Sequence, residues 1–489
     1  MKINKRINKE NIRRGVRYFR RNGFTASFYK AAERLKRDED EKDYMQAVFD
    51  NIASAEEREL ERSRSFTHSY RISLLVPAYE TDREYLKEMM ESVIAQSYSN
   101  WELCIADGSC SDAVRETVDG LIEKYGDRAD STRIKYERLK KNEGIAGNTN
   151  AALKMATGEY VALLDHDDMI SPDALYRIMD VLEEGLYEDG NAYKNRIKAI
   201  YSDEDKFKAG EKGYSFFDHH VKPGFDIDLL RTNNYICHLF AVRRELALSV
   251  GGFNDKLNGS QDHDFIFKCL ENLKDDEICH IGRPLYHWRS HDKSTATNPE
   301  SKLYAYEAGK QAVSDHLRRM GISAKVLDTK HLGFYRVKYD VPHELLENIC
   351  RISYADFCDM TAGDVRDLKS DYIMIMADNV KPLTKDYEEE LLGHLIRPGV
   401  GAVGGKMIGR GGRLESAGYS RQPEGELKAD FAGLSRHFSG YLHRADLQRS
   451  VDGVAVDCMM VKKSAITDDK ELNTDYRVVY TPYAVFKRK

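Results

Sequence analysis

The chain has 489 residues and a formal charge of −6, with 41% hydrophobic and 32% charged residues. That much apolar material excludes wholesale disorder, and at ~150 residues per domain the length predicts two or three domains. A pI of ≈ 6.2 argues against a nucleic-acid binder, no apolar run approaches the ~18 residues needed to span a bilayer, and eight cysteines without a CxxC pair predict reduced thiols.

Residues 1–67 read as a charged helical extension, with Ala53–Arg64 a helical pattern. Its first residues have no apolar core and do not form a secretory signal. Met1–Lys36 holds twelve Lys/Arg against two Glu. The plainer reading is a solvated helix. The sharper one is a surface resting on anionic lipid, where each basic residue contributes about 1 kcal/mol and Phe19 and Phe28 supply part of the apolar side.

A βα alternation follows. Ile72–Val76, Trp101–Ala106, Ile134–Arg138 and Tyr160–Leu164 are apolar runs that predict strands. Tyr85–Gln96, Ala113–Tyr125 and Asn150–Ala156 have helical spacing. Strands separated by helices imply a largely parallel sheet with covered faces, and ligands then bind beyond the carboxyl ends of the strands. Acidic residues stand there: Glu80, Asp107 and Asp165-His166-Asp167-Asp168.

The chain also repeats itself weakly. Gly158–Leu164 aligns with Ser370–Met376 at an offset of 212, and Phe240–Arg244 with Met459–Lys463 at an offset of 219. This predicts a second, shortened copy of the same fold element. Only Asp340–Asp364 stands where the first copy places three βα steps. Asp165 maps onto Ala377 and Asp167 onto Asn379, so the second copy has lost the charges of the acidic turn.

Three carboxylates in one turn repel one another unless a cation neutralises them, and carboxylates suit Mg²⁺ or Mn²⁺. The plainer reading is a turn capping a helix from Ser171-Pro172, with Asp168 as the cap. Asp262 and Asp264 precede a predicted helix over Phe265–Leu273, where a cap competes with a general base. His287-Trp288-Arg289-Ser290-His291 concentrates polar and aromatic groups. The spacing of His238, His263, His280, His287 and His291 matches no standard zinc motif, and there is no P-loop.

Taken in order, Val76–Glu80, Ala106–Ser109, Asn142–Gly144 with Asn150, Gly158–Asp168, Gly251–Phe253, Gln261-Asp262 and Trp288–His291 resemble the inverting glycosyltransferases of family 2. Tyr201–Asp205, Asn234–His238 and Gly259–Asp262 add the texture of bacterial enzymes that build O-antigen or capsule-type polysaccharides. The resemblance covers roughly residues 70–300. It implies an α/β, GT-A fold over residues 68–325, Rossmann-like, with a mostly parallel sheet and helices on both faces. Residues 330–489 then form a truncated GT-A-like domain without its own catalysis. The implied donor is a nucleotide-diphosphate sugar. Pro77, Tyr79 and Glu80 line its base and ribose, Asp107 hydrogen-bonds it, and Asn150, His166 and Arg289 are further donor contacts. Asp165, Asp167 and His291 hold Mn²⁺ or Mg²⁺, and Asp262 is the base that deprotonates the acceptor, a glycan or lipid-linked glycan. Gln261 stands where the family often has Glu. The expected location is the cytoplasm, at the inner face of the plasma membrane, with contact through residues 1–36. Two rivals remain: a non-catalytic glycan or nucleotide-sugar binding protein, and a sugar nucleotidyltransferase, whose Gly- and Lys/Arg-rich triphosphate loop residues 77–85 lack.

Overall fold

The computed structural model describes residues 53–489 apart from 130–131, 190–191, 211–212 and 291–302, and before residue 53 only Phe19, Gly23, Ser27 and Phe28. The basic, lipid-facing stretch expected over residues 1–36 lies almost wholly outside the described residues. Helix α1, Ala55–Ser63, realises the charged pattern beyond it, and a capping box between Ser54 and Glu57 starts it.

The chain forms two compact units. One runs to Phe225 and resumes over Asn234–Gly321; the other takes Asp226–Asn233 and Ile322–Lys489. The first is built on β1 (Ile72–Ala78), β2 (Trp101–Asp107), β3 (Ile134–Arg138), β4 (Tyr160–Leu163), β5 (Met169–Ile170), a small hairpin of β6 (Leu186–Asp189) and β7 (Ala192–Asn195), then β8 (Ala199–Gly210), β9 (Gly213–His220), β10 (Phe240–Arg243) and β11 (Ile278–Arg289). The sheet order is β3-β2-β1-β4-β10-β8-β11-β5, with β9 beside β8. Strands β1 to β4 pair in parallel, and β10 enters antiparallel between β4 and β8. The sheet is therefore mostly parallel, as expected, with β5, β9 and β10 reversed.

Helices α2 (Arg83–Ile94), α3 (Ala113–Tyr125), α4 (Gly144–Met155) and α5 (Ala174–Glu184) connect or follow the strands. The steps β1–α2–β2 and β2–α3–β3 move outward, and β3–α4–β4 returns across β1. Right-handed crossovers then place α2 and α3 on one face and α4 on the other. Leu74 and Val76 of β1 pack with Leu86, Met89 and Val93 of α2 and Val114 and Val118 of α3, all fully buried. Each such side chain contributes about 1.5–3 kcal/mol by leaving water.

Strand β1 runs through Pro77, two residues beyond the predicted end. Its ladder with β4 stops at Leu75, so no bond is asked of the missing Pro77 N–H on that side. Helix α4 starts at Gly144, six residues earlier than the spacing predicts. Its first turn is satisfied by Asn142 Oδ1, which accepts from Gly144 N, and by distant Asn258 Oδ1, which accepts from Ala146 N.

In the second unit, β12 (Ala324–Asp328) and β13 (Tyr335–Tyr339) form a hairpin. The main sheet contains β14 (Cys350–Ser353), β15 (Tyr372–Met376), β16 (Val380–Pro382), β17 (Val400–Ile408) and two later strands, Cys458–Lys462 and Arg477–Arg488. Its order is β14, β15, Cys458–Lys462, β17, Arg477–Arg488, β16. This repeats the first sheet from β1 onward without β2 and β3. The register repeats too: Ala162 faces Ala241 in the first sheet, and Met374 faces Met460 in the second. Those positions are related by the two offsets found in the sequence.

Candidate active site

Between β1 and β4 the strand order reverses, and the carboxyl ends of these two strands open into a cavity of ≈ 200 Å³. Leu75, Pro77, Leu163, Leu164 and Asp165 form its strand side, Ile145 and Thr149 come from α4, and Cys237, His238, Gly259, Gln261, Asp262 and Trp288 complete the wall. Ligand pockets usually start at ~300 Å³, so this cavity encloses a fragment of a drug-sized ligand rather than the whole.

The acidic turn divides its labour. Asp165 faces the cavity with 45% of its side-chain surface open. The enclosing walls push its carboxyl up, His238 (Nε2 3.7 Å from Oδ2) pulls it down, and Asp167 pushes it up again. Asp168 is turned the other way. Its carboxylate accepts from Tyr286 Oη at 2.6 Å and from Arg289 N at 2.7 Å. It therefore ties the turn to β11 and does not cap a helix, which corrects the plainer reading; the next helix, α5, begins at Ala174. Burial, Asp167 and Asp165 all push Asp168 well up. Crowded carboxylates on one turn, with Asp165 open to the cavity, are a donor set that fits a hard divalent cation.

Asp262 stands across the cavity, in the first turn of helix Gln261–Leu270. It does not cap that helix. Asn234 Nδ2 donates to its Oδ2 at 2.8 Å, and Cys237 Sγ lies 3.3 Å from the same oxygen. Asp264 is spent on Arg319 (3.1 Å) and Lys268 (3.2 Å). Gly259, two residues before the helix, has φ +95, and a Cβ there would crowd Ala305. The Asn234–His238 loop is clamped from behind: Lys222 Nζ donates to the carbonyls of Ile236 and His238, and Glu204 holds that ammonium at 3.1 Å. Burial raises the Glu204 carboxyl, but Lys222 and His220 outweigh it and bring it down to about 2. In the sequence Asn234–His238 carries only family texture, and His238 enters only a histidine set whose spacing matches no zinc motif. A polar loop with no fold signal of its own is the one hint the sequence carries.

Of the other expected site residues, Pro77 lines the cavity, while the expected donor contacts Tyr79, Glu80, Asp107, Asn150, His166 and Arg289 and the expected metal ligand Asp167 are not among the lining residues. Tyr79 is exposed. Glu80 accepts from Cys110 N, Ser111 N and Ser111 Oγ, bracing the loop after β2. Asp107 is buried and accepts from Tyr136 Oη at 2.7 Å and Ser109 N at 2.8 Å. Asn150 makes two 2.8 Å bonds to the backbone of Phe253, fixing the Gly251–Phe253 turn. His166 Nδ1 is 3.9 Å from Asp167 Oδ1. Arg289 is buried between Tyr85 and Phe207, pairs with Glu88 at 2.6 Å, and donates Nε to the Asp167 carbonyl. It braces the acidic turn from behind. His291 lies outside the described residues.

The second copy lacks this arrangement. Ala377 and Asn379 stand for Asp165 and Asp167. Pairing register places Arg488 where β11 has Trp288, and the offset of 219 places Asp457 where His238 stands. Arg488 and Asp457 form a 2.7 Å ion pair, and Arg488 also holds Glu415.

Residues 73–247 match the model of glycosyl transferase family 2. The uncharacterized protein y4gI of Sinorhizobium fredii is 29% identical over 451 residues, covering 80% of this chain and 48% of that protein. The O-antigen biosynthesis protein RfbC of Myxococcus xanthus is 30% identical over 271 residues, covering 55% of this chain and 20% of that protein. The chain thus spans half or less of the length of these relatives. Among solved structures, S. aureus TarS 1–349 in complex with UDP-GlcNAc aligns at 18% identity with a TM-score of 0.38, covering 50% of this chain and 66% of that one.

Proposed function

We propose, on the premise that residues 73–247 form a family 2 glycosyl transferase domain, that the chain moves a sugar from a nucleotide-diphosphate donor to a hydroxyl of a growing bacterial surface glycan or lipid-linked oligosaccharide, with inversion. One observation carries this reading: Asp165 and Asp262, far apart in sequence, open into the same cavity at the strand-order reversal. A general base, and a carboxylate that would hold a cation to neutralise the leaving diphosphate, are two groups that serve a single displacement.

Asp262 is the base. Asn234 fixes its carboxylate, which takes the acceptor proton as the acceptor oxygen attacks the anomeric carbon. Asp165 and Asp167 are the residues that would hold Mn²⁺ or Mg²⁺, with His291 a third candidate; such a cation neutralises the departing diphosphate. Pro77, Leu75 and Leu164 give the donor an apolar wall that excludes water from the reacting centre. Tyr79, exposed and two residues after Pro77 in the chain, remains the candidate for the base of the nucleotide. One in-line step inverts the anomeric centre. Residues 330–489, with the turn charges replaced and an Arg–Asp pair in place of the His238 and Trp288 rings, contribute no second centre.

The test is a screen of UDP-, dTDP- and GDP-sugars for nucleotide release with Mn²⁺ or Mg²⁺. The expected result is release from one donor class, lost in Asp167→Ala. Release that survives in Asp167→Ala would remove the turn from the mechanism.

A further inference from the structure

We propose that Cys237, His238 and Asp262 form a site for a thiophilic divalent cation, zinc above all, separate in its ligands from the hard-cation set of the acidic turn, and that its occupation switches transfer off. Cys237 Sγ, a ring nitrogen of His238 and a carboxylate oxygen of Asp262 lie within 4.8 Å of one another. The Sγ to Asp262 Oδ2 distance of 3.3 Å is already close to the edge of a tetrahedron with bonds of about 2.1 Å, which is about 3.4 Å. From a separation of at most 4.8 Å, the remaining approach asks two ligand atoms to close by up to about 1.4 Å between them at zinc's usual bond lengths.

A second observation points the same way. His238 is 6% exposed, and its Nδ1 finds no hydrogen-bond partner in the fold. A buried ring nitrogen without a partner is the exception in folded proteins, and a neutral imidazole lone pair is what zinc takes. The ring is already fixed by stacking on Tyr286 at 4.6 Å. Its loop is held by Lys222 through the carbonyls on either side of Cys237, so the ligands need little ordering to meet a cation.

The donor set decides the metal. Sulfur, imidazole and one carboxylate favour zinc over magnesium or manganese, which prefer oxygen alone. As the S–Zn bond forms, the S–H bond breaks and its proton passes to solvent. Three protein ligands leave a fourth position for water. The set is confined to the first copy: at the offset of 219, Cys237 and His238 become Val456 and Asp457. A cation held here occupies the Asp262 carboxylate, so the acceptor hydroxyl loses its base. That consequence rests on Asp262 being the base; the binding site itself does not.

The binding test uses the purified 489-residue chain without nucleotide, with Co²⁺ as the probe. Wild type is expected to show a thiolate-to-cobalt charge-transfer band that saturates at one equivalent and is displaced by Zn²⁺. Cys237→Ser should lose the band, with unchanged circular dichroism, while Asp167→Asn should keep it. Zinc affinity in Cys237→Ser should fall by more than the roughly 10–100-fold that an outer-shell change costs. No band in wild type, or an equal band in Cys237→Ser, overturns the site. If the band behaves as expected, zinc should inhibit donor-to-acceptor transfer in wild type but not in Cys237→Ser, and a zinc-selective chelator should reverse it. Binding without inhibition would leave the site standing and overturn the switch.

Discussion

Asp165 and Asn150 show how one residue type list separates into chemistry and architecture once the partners are visible. Both belong to the motif set that resembles family 2 transferases. Asn150 spends its amide on the Phe253 backbone, and Asn150→Ala should lower unfolding stability by about 2 kcal/mol, since it leaves two backbone groups unpaired. Chemical denaturation reads this, with donor KM nearly unchanged. Asp165 is held among like charges with a side chain open to the cavity. Asp165→Asn should therefore keep or raise the melting temperature of the metal-free protein while losing transfer. Asp165 stood out because it follows directly on an apolar strand, whereas Asp262, in the first turn of a helix where a cap competes, was singled out only by the family resemblance. Cys237 and His238 were not legible, because a loop with no periodicity gives no sign of which way its side chains turn.

At the scale of elements, the parallel half of the sheet was legible from its apolar runs, and the charged strands were not. β8 carries Asp203, Glu204 and Asp205, all of which look like surface residues in sequence. In the fold, Asp203 meets His280 at 2.8 Å, Glu204 meets Lys222, and Asp205 meets His287 at 2.6 Å, so the strand is buried with its charges paired. β2 holds a comparable hub in Glu102. Its carboxylate joins Ser73 of β1, Lys135 of β3 and the Thr157-Gly158 turn before β4. Burial pushes this carboxyl up, but Lys135 and the Thr157 and Ser73 donors prevail and bring it to about 2. A carboxyl depressed in the folded state stabilises above its unfolded value of about 4 and loses that contribution as pH falls toward 2. Glu102→Gln should therefore cost roughly 3 kcal/mol at neutral pH, with the difference from wild type shrinking across that acidic window in urea titrations at several pH values.

Over the whole molecule, the chain is one complete sheet and a copy shortened by two strands. The offsets of 212 and 219 announced this because strand pairs keep their register when loops diverge. Among the described residues no helix is long and apolar enough to cross a membrane. Calorimetry should find one donor nucleotide bound per chain, because the second copy has neither β2 and β3 nor the acidic turn; two equivalent sites would contradict this. Deleting residues 1–36, with their twelve Lys/Arg, should weaken co-sedimentation with anionic liposomes and leave neutral ones unaffected.

The most direct measurement pairs transfer with binding in Asp262→Asn. The amide keeps the shape of the carboxylate but cannot take a proton. Transfer should fall by about 10²–10⁴-fold, the range general bases contribute, while the affinity for the nucleoside diphosphate stays within about twofold, well below the ~1.4 kcal/mol of a tenfold change. Transfer at the wild-type rate in Asp262→Asn would mean that the acceptor proton leaves by another route and that the cavity between Asp165 and Asp262 is not where the glycosidic bond forms.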